Sequence, residues 1–218
     1  MAKKTLSRLI EGYKEFHRDY SGKEYDSYRR VAAKGQAPKV MVISCSDSRV
    51  SPSIVMRAEL GDIFLVSNVA NIVPPYKPGK GTHHSTSSAL EFGVGTLGVE
   101  DIVVMGHSGC GGIQALLDGA PVALDGEYSF IRQWVGIVKE AGKEVSHLPE
   151  KQRYTACEQA ALKISLQNLL SFPWIAEKVE AGELNIHAWH FDIPTGAIHA
   201  YDADEDQFVL LDTYNGKA

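Results

Sequence analysis

Val40-Met41-Val42-Ile43, followed at once by Ser44-Cys45-Ser46-Asp47-Ser48-Arg49, decides how the rest of the chain is read. A run that is apolar at every position, and not only at alternate ones, predicts a short strand buried on both faces. The small polar residues after it mark where the strand ends. The pattern recurs in Ile63-Phe64-Leu65-Val66 and in Ile102-Val103-Val104-Met105, and the latter runs into the turn Gly106-His107-Ser108-Gly109-Cys110-Gly111-Gly112. Late strands are predicted over residues 186–191, 197–201 and 208–211, the first two joined around Pro194-Thr195-Gly196. Helical stretches fall between the strands, over residues 87–97, 113–117, 127–141 and 153–171. Residues 74–86, rich in Pro and Gly, read as a loop. Short apolar strands separated by helices predict an α/β fold with a mostly parallel central sheet flanked by helices and right-handed crossovers.

An N-terminal helical arm over residues 1–34 precedes this pattern. Leu6, Leu9, Ile10, Tyr13 and Phe16 recur at helical spacing, so residues 5–18 form an amphipathic helix whose apolar stripe needs a surface to pack on. A second short helix over residues 25–33 is broken by Gly35-Gln36-Ala37-Pro38. Without an internal repeat, low-complexity tract or linker-like shift, residues 1–218 read as one domain, with a core over about residues 35–200.

Composition narrows the classes. The 218 residues are 44% hydrophobic and 22% charged, which suits a globular domain and excludes disorder, collagen and coiled coil. A net charge of −5 draws the chain to neither nucleic acid nor an anionic membrane. The longest apolar runs have four residues, far below the 18 or so that span a bilayer. Three cysteines cannot all pair, and no apolar leader opens the chain, so a cytoplasmic, reducing location is expected.

In parallel sheets the ligand site lies beyond the carboxyl ends of the strands. Cys45, His107 and Cys110 sit there, and two thiolates with an imidazole are a preferred set for zinc. No fourth Cys or His is nearby in sequence, and Cys157, inside the 153–171 helix, reads as a buried small apolar residue. Three ligands leave an open coordination position, as in catalytic sites. Plainer readings stand beside this one. A cysteine at a strand end is usually just buried. The Gly-rich turn could cradle phosphate, although it lacks the Lys-Ser/Thr of a P-loop and the G-x-G-x-x-G pattern. The cysteines could also be a reactive pair, although they form no C-x-x-C. Asp47 and Arg49, two residues apart, point the same way in an extended turn. The pair suits a carboxylate that aims an oxygen nucleophile while Arg keeps it ionised, and it equally suits a plain ion pair.

Cys45-Ser46-Asp47-Ser48-Arg49 with His107-x-x-Cys110 resembles the paired motifs of the β-class carbonic anhydrases. Further blocks match in order: Gly61-Asp62-Ile63-Phe64, Asn68-Val69-Ala70-Asn71, Val73-Pro74-Pro75-Tyr76, Ala89-Leu90-Glu91-Phe92 and Gly111-Gly112. Residues 165–173 resemble the plant-type branch. The resemblance implies one Zn2+ per chain on Cys45, His107 and Cys110, with Asp47 and Arg49 as catalytic dyad. It places Gln36, Phe64, Val69, Phe92 and the Gly111 amide in the substrate pocket. It implies reversible hydration of carbon dioxide to bicarbonate and a proton by zinc-bound hydroxide, with His83 and His84 as possible shuttles. It also implies a homo-oligomer, a dimer or a tetramer, whose N-terminal arm wraps a neighbour and whose active sites lie at the interface.

Two alternatives are a hydrolase of carbon disulfide or carbonyl sulfide on the same scaffold, and a non-enzymatic zinc-stabilised scaffold or sensor. The chain departs from the family at Phe92, where Tyr is usual in the plant-type branch, and at Ser67, where Arg is common. Some members close the site with the Asp matching Asp47 when a second bicarbonate binds a Trp and that Arg. Here those positions are Val42 and Ser67, so no such switch is expected.

Overall fold

The computed structural model describes residues 2–79, 85–119 and 130–213, and it divides into two compact units, Met1–Ala37 and Pro38–Ala218. The N-terminal unit holds helix α1 (Ala2–Asp19) and helix α2 (Asp26–Lys34), joined by a tight turn at Lys23–Tyr25. Phe16, Tyr20, Tyr25 and Tyr28 pack ring against ring, with Arg29 over the Tyr20 ring. These contacts fold the helices onto each other, but Leu6, Leu9 and Tyr13 on α1 stay about three-fifths exposed.

The larger unit is built on one six-stranded sheet. Its strands are β1 (Val40–Cys45), β2 (Ile63–Asn68), β3 (Asp101–His107), β4 (Asn185–Asp192), β5 (Ala197–Asp202) and β6 (Gln207–Leu210). Their order is β2-β1-β3-β4-β5-β6. The first four are parallel, whereas β4, β5 and β6 pair antiparallel. Among the described residues the unit also holds helices α3 (Pro52–Val55), α4 (Ser85–Leu90), α5 (Gly111–Asp118), α6 (Phe130–Val135), α7 (Lys139–Glu144), α8 (Glu150–Leu170) and α9 (Pro173–Glu180).

The apolar runs are buried because the sheet is covered. On β1, Met41 to Cys45 are all buried. Met41 and Ile43 pack with Ile102, Val104, Leu90, Leu162, Leu169 and Phe172, while Val42 packs the other way with Val103, Met105, Val50 and Phe191.

Several elements differ from expectation. The strands of the central sheet run one to two residues beyond their apolar cores, because backbone pairing continues through Ser44-Cys45 and Gly106-His107. Expected helix 87–97 begins earlier, at Ser85, and widens into π-type turns over Glu91–Leu97, a stretch holding Gly93 and Gly95. The described part of expected helix 127–141 breaks at Gly136–Val138 into α6 and α7. Short helices α3 and α9 escaped prediction. Each starts on a proline, which fits the first turn where no N–H partner is needed. His83 and His84 lie outside the described residues.

Candidate metal centre

The chain leaves β1 to one side, forms β2, and returns on the other side as β3. The carboxyl ends of β1 and β3 therefore meet at a switch point, where open α/β sheets bind ligands. Cys45 ends β1, His107 ends β3, and Cys110 immediately precedes α5. All three are buried, and their ligating atoms lie within 4.8 Å of one another. The two sulfurs are 4.0 Å apart.

The chemistry of this cluster suits a divalent cation. His107 Nδ1 lies 3.0 Å from the Ser108 carbonyl oxygen. Donating its proton there leaves Nε2 as a bare lone pair, the tautomer a metal-binding imidazole adopts. That Nε2 is buried and has no hydrogen-bond partner, an arrangement that proteins rarely leave uncompensated. Burial pulls the imidazole down, but Cys45, the Ser108 carbonyl and Asp47 carry it above its ordinary value. The sulfurs conflict with each other. The Cys110 hydrogen bond draws Cys45 down to about 4 despite burial, and Cys110, as donor beside that thiolate, is pushed up. A dication between them lets both ionise.

Asp47 lies at the rim, its Oδ2 3.9 Å from His107 Nε2. Arg49 grips it with two prongs: Nε donates to Oδ1 at 2.9 Å and Nη2 to Oδ2 at 2.6 Å, while the Arg49 backbone N–H also donates to Oδ1. These contacts, the side-chain bond first, hold the Asp47 carboxyl well below the usual carboxylate range. Arg49 Nη2 also donates to the Gly109 carbonyl at 3.0 Å, tying the turn after β1 to the turn after β3.

Of the expected pocket residues, Val69 and Gly111 stand near the cluster. Val69 opens a tight turn, Val69–Asn71, in which Ala70 has φ 62° and Asn71 φ 48°. The Asn68 side chain braces this turn by bonding both backbone groups of Ile72, and Trp134 Nε1 donates to the Val69 carbonyl at 2.7 Å. Gly112 packs so closely against the turn that a Cβ there would meet the Ala70 Cβ at 2.8 Å. A groove of about 740 Å³, lined in part by Val69, Pro74, Trp134 and Ile137, opens beside it.

Phe64 and Phe92 are not brought to the cluster in this chain. Their rings pair at 5.9 Å, but Phe64 stands opposite Met41, whereas Asn68 stands opposite Cys45. Four residues of strand put Phe64 about 13 Å back from the Cys45 end of the sheet. Gln36 is exposed and belongs to the N-terminal unit.

Sequence reasoning missed Glu158 and His190. Glu158, on α8, accepts the Cys110 backbone N–H at 3.0 Å through Oε1 and lies 3.0 Å from His190 Nε2 through Oε2. Its signal was spacing: Glu158 shares the inward stripe of Ala161, Leu162, Ser165 and Leu169, so a charge sits on a face otherwise read as core.

A profile of the family described as "Carbonic anhydrase" matches residues 40–198. Beta carbonic anhydrase 5, chloroplastic, of Arabidopsis thaliana is 45% identical over 174 residues, 78% of this chain. The chain spans only 56% of that relative's length. Among solved structures, the β-carbonic anhydrase CcaA aligns at TM-score 0.85 and 30% identity, over 94% of this chain and 99% of that one. One of two tetrameric β-carbonic anhydrases from the filamentous ascomycete Sordaria macrospora aligns at TM-score 0.72 and 26% identity, over 92% and 97%.

Proposed function

Because this chain belongs to the β-class carbonic anhydrases, we propose that it catalyses the reversible hydration of carbon dioxide to bicarbonate and a proton, with one zinc ion per chain on Cys45, His107 and Cys110. The observation that carries this reading is the buried, partnerless His107 Nε2 between two thiols, with the Asp47–Arg49 pair at its rim. A structural metal site has no use for an oriented carboxylate.

Zinc at such a site supplies the Lewis acidity that lets water ionise near neutral pH. Asp47 stays ionised because Arg49 grips both its oxygens. It accepts a hydrogen bond from the attacking water and so aims the oxygen lone pair at the carbon. The Gly111 N–H, at the start of α5, would donate to the oxygen on which charge develops. Val69, two-fifths exposed, offers an apolar wall to a non-polar substrate.

Phe64 and Phe92 stand too far back to join this wall within one chain, so the family's slot is completed by a second copy. The exposed apolar stripe of α1 and the tetrameric assembly of the Sordaria relatives support a homo-oligomer, dimer or tetramer. Among the described residues no helix is long and apolar enough to cross a membrane. The three cysteines are unpaired, which suits a cytoplasmic or other reducing compartment.

Stopped-flow CO2 hydration with metal analysis tests the reading. The wild-type protein should carry one zinc and hydrate CO2, and Cys110→Ser should lose metal and activity together. A zinc-replete, fully active Cys110→Ser protein would overturn it.

A further inference from the structure

Glu158 is the one carboxylate among the described residues that is almost wholly buried, 4% exposed, and its partner His190 is 2% exposed. Burying a charged group is costly unless each of its atoms finds a partner. Packing alone would be served as well by leucine. A hydrogen bond to His190 alone would need only one oxygen. The second oxygen goes to the backbone N–H of Cys110, whose nitrogen is three bonds from a proposed metal-ligand sulfur.

The turn that presents Cys110 needs such a hold. It passes through Gly109 at φ 68°, a residue without a side chain to pack. On its upstream side it is tied by Ser108, whose N–H reaches the Phe191 carbonyl and whose Oγ accepts from Ile193 N–H. On the Cys110 side, Glu158 provides the partner for the backbone N–H. His190 stands on β4 opposite Gly106, in the register that continues His107 to Phe191. It therefore approaches Glu158 from the sheet while Cys110 approaches from the turn. Both carboxylate oxygens are occupied, and the residue is buried.

We infer that Glu158, held in place by His190, is a positioning residue that sets the backbone of Cys110 and thereby the metal affinity of the site. This rests on the reading of Cys45, His107 and Cys110 as zinc ligands. Outer partners of this kind typically change metal affinity by about 10–100-fold when removed.

The test compares Glu158→Leu, which fills the space without an acceptor, with Glu158→Gln, whose amide oxygen still accepts. Zinc affinity is read by chelator competition, and stability by thermal unfolding of the zinc-free proteins. Glu158→Leu should bind zinc about 10–100-fold more weakly, beyond the loss of zinc-free stability that follows from leaving the buried Cys110 N–H and His190 Nε2 without partners. Glu158→Gln should stay close to wild-type affinity. A Leu variant that binds zinc as tightly as wild type overturns the inference, as does a Gln variant no better than Leu. Should the Leu variant not fold, amide exchange at Cys110 in zinc-free wild type decides. Strong protection is expected, and free exchange overturns it. Cys110→Ser run alongside separates the two readings: zinc retained there refutes the ligand assignment on which the inference rests, whereas zinc lost there but held at wild-type affinity by Glu158→Leu refutes the role of Glu158 alone.

Discussion

Gly112→Ala adds one methyl group at the tightest point of the site. The new Cβ would lie 2.8 Å from the Ala70 Cβ and 3.0 Å from Val69 Cγ1. Carbon atoms prefer separations of about 3.5–4.0 Å, so the first contact is short by roughly 1 Å. The Val69 methyl can swing away, since that side chain is 42% exposed. Ala70 cannot: it is wholly buried, and its Cβ is fixed by its backbone. The Val69–Asn71 turn or the start of α5 must therefore move, and each adjoins a proposed zinc ligand. Overpacking of this kind costs about 1–3 kcal/mol. In a chain of this size each kcal/mol lowers Tm by about 2–4 °C, so calorimetry should show a drop of about 2–12 °C, with weaker zinc retention and slower CO2 hydration. The second substitution Ala70→Gly removes the opposing methyl at a residue with φ 62°, where glycine is at ease. The double variant should regain most of the lost stability. A Gly112→Ala protein with wild-type Tm and turnover would refute the reasoning, and so would strictly additive penalties in the double-mutant cycle.

Asp47→Asn should retain zinc but slow hydration by roughly 10²-fold or more, the usual scale for a positioned proton-handling group; wild-type turnover at pH 8 would dismiss its catalytic role. The folded pKa of Asp47 is depressed, so its stabilisation is complete above the unfolded value near 3.9 and is lost only as pH falls through the lower folded one. With zinc bound, so that His107 does not titrate, the Tm penalty of Asp47→Asn should therefore be equal at pH 5 and pH 7, and a penalty that differs between them contradicts this. Bicarbonate should not inhibit below pH 8, because Val42 and Ser67 offer no indole N–H and no fixed charge, and Asp47 is already paired with Arg49. Each missing charge-assisted contact is worth about 1.5–3 kcal/mol, or about ten- to over a hundred-fold in binding. Cooperative loss of activity deepened by bicarbonate would refute it.

The sequence by itself determined the strands of the parallel core and which candidate ligands stand at their ends. Runs such as 40–43 and 102–105 are apolar at every position, and only burial on both faces suits that pattern. Cys45, Asp47, Arg49, His107 and Cys110 were legible because motif spacing is local: each group spans a few residues of one turn. Element ends were less legible, since backbone hydrogen bonds carry β1 and β3 on through Ser44, whose side chain is polar, and Gly106, which has none to give an apolar signal. Only the tertiary structure decided that β1 and β3 are neighbours, with β2 outside, which brings residues more than 60 positions apart to 4.0 Å. It also decided that Glu158 reaches the Cys110 amide, and that Phe64 and Phe92 stand back from the metal end of their own chain. The physical reason is shared. Strand order, register and helix docking follow from how separate apolar faces are buried against one another, a property of the packed whole that no local pattern of residues carries.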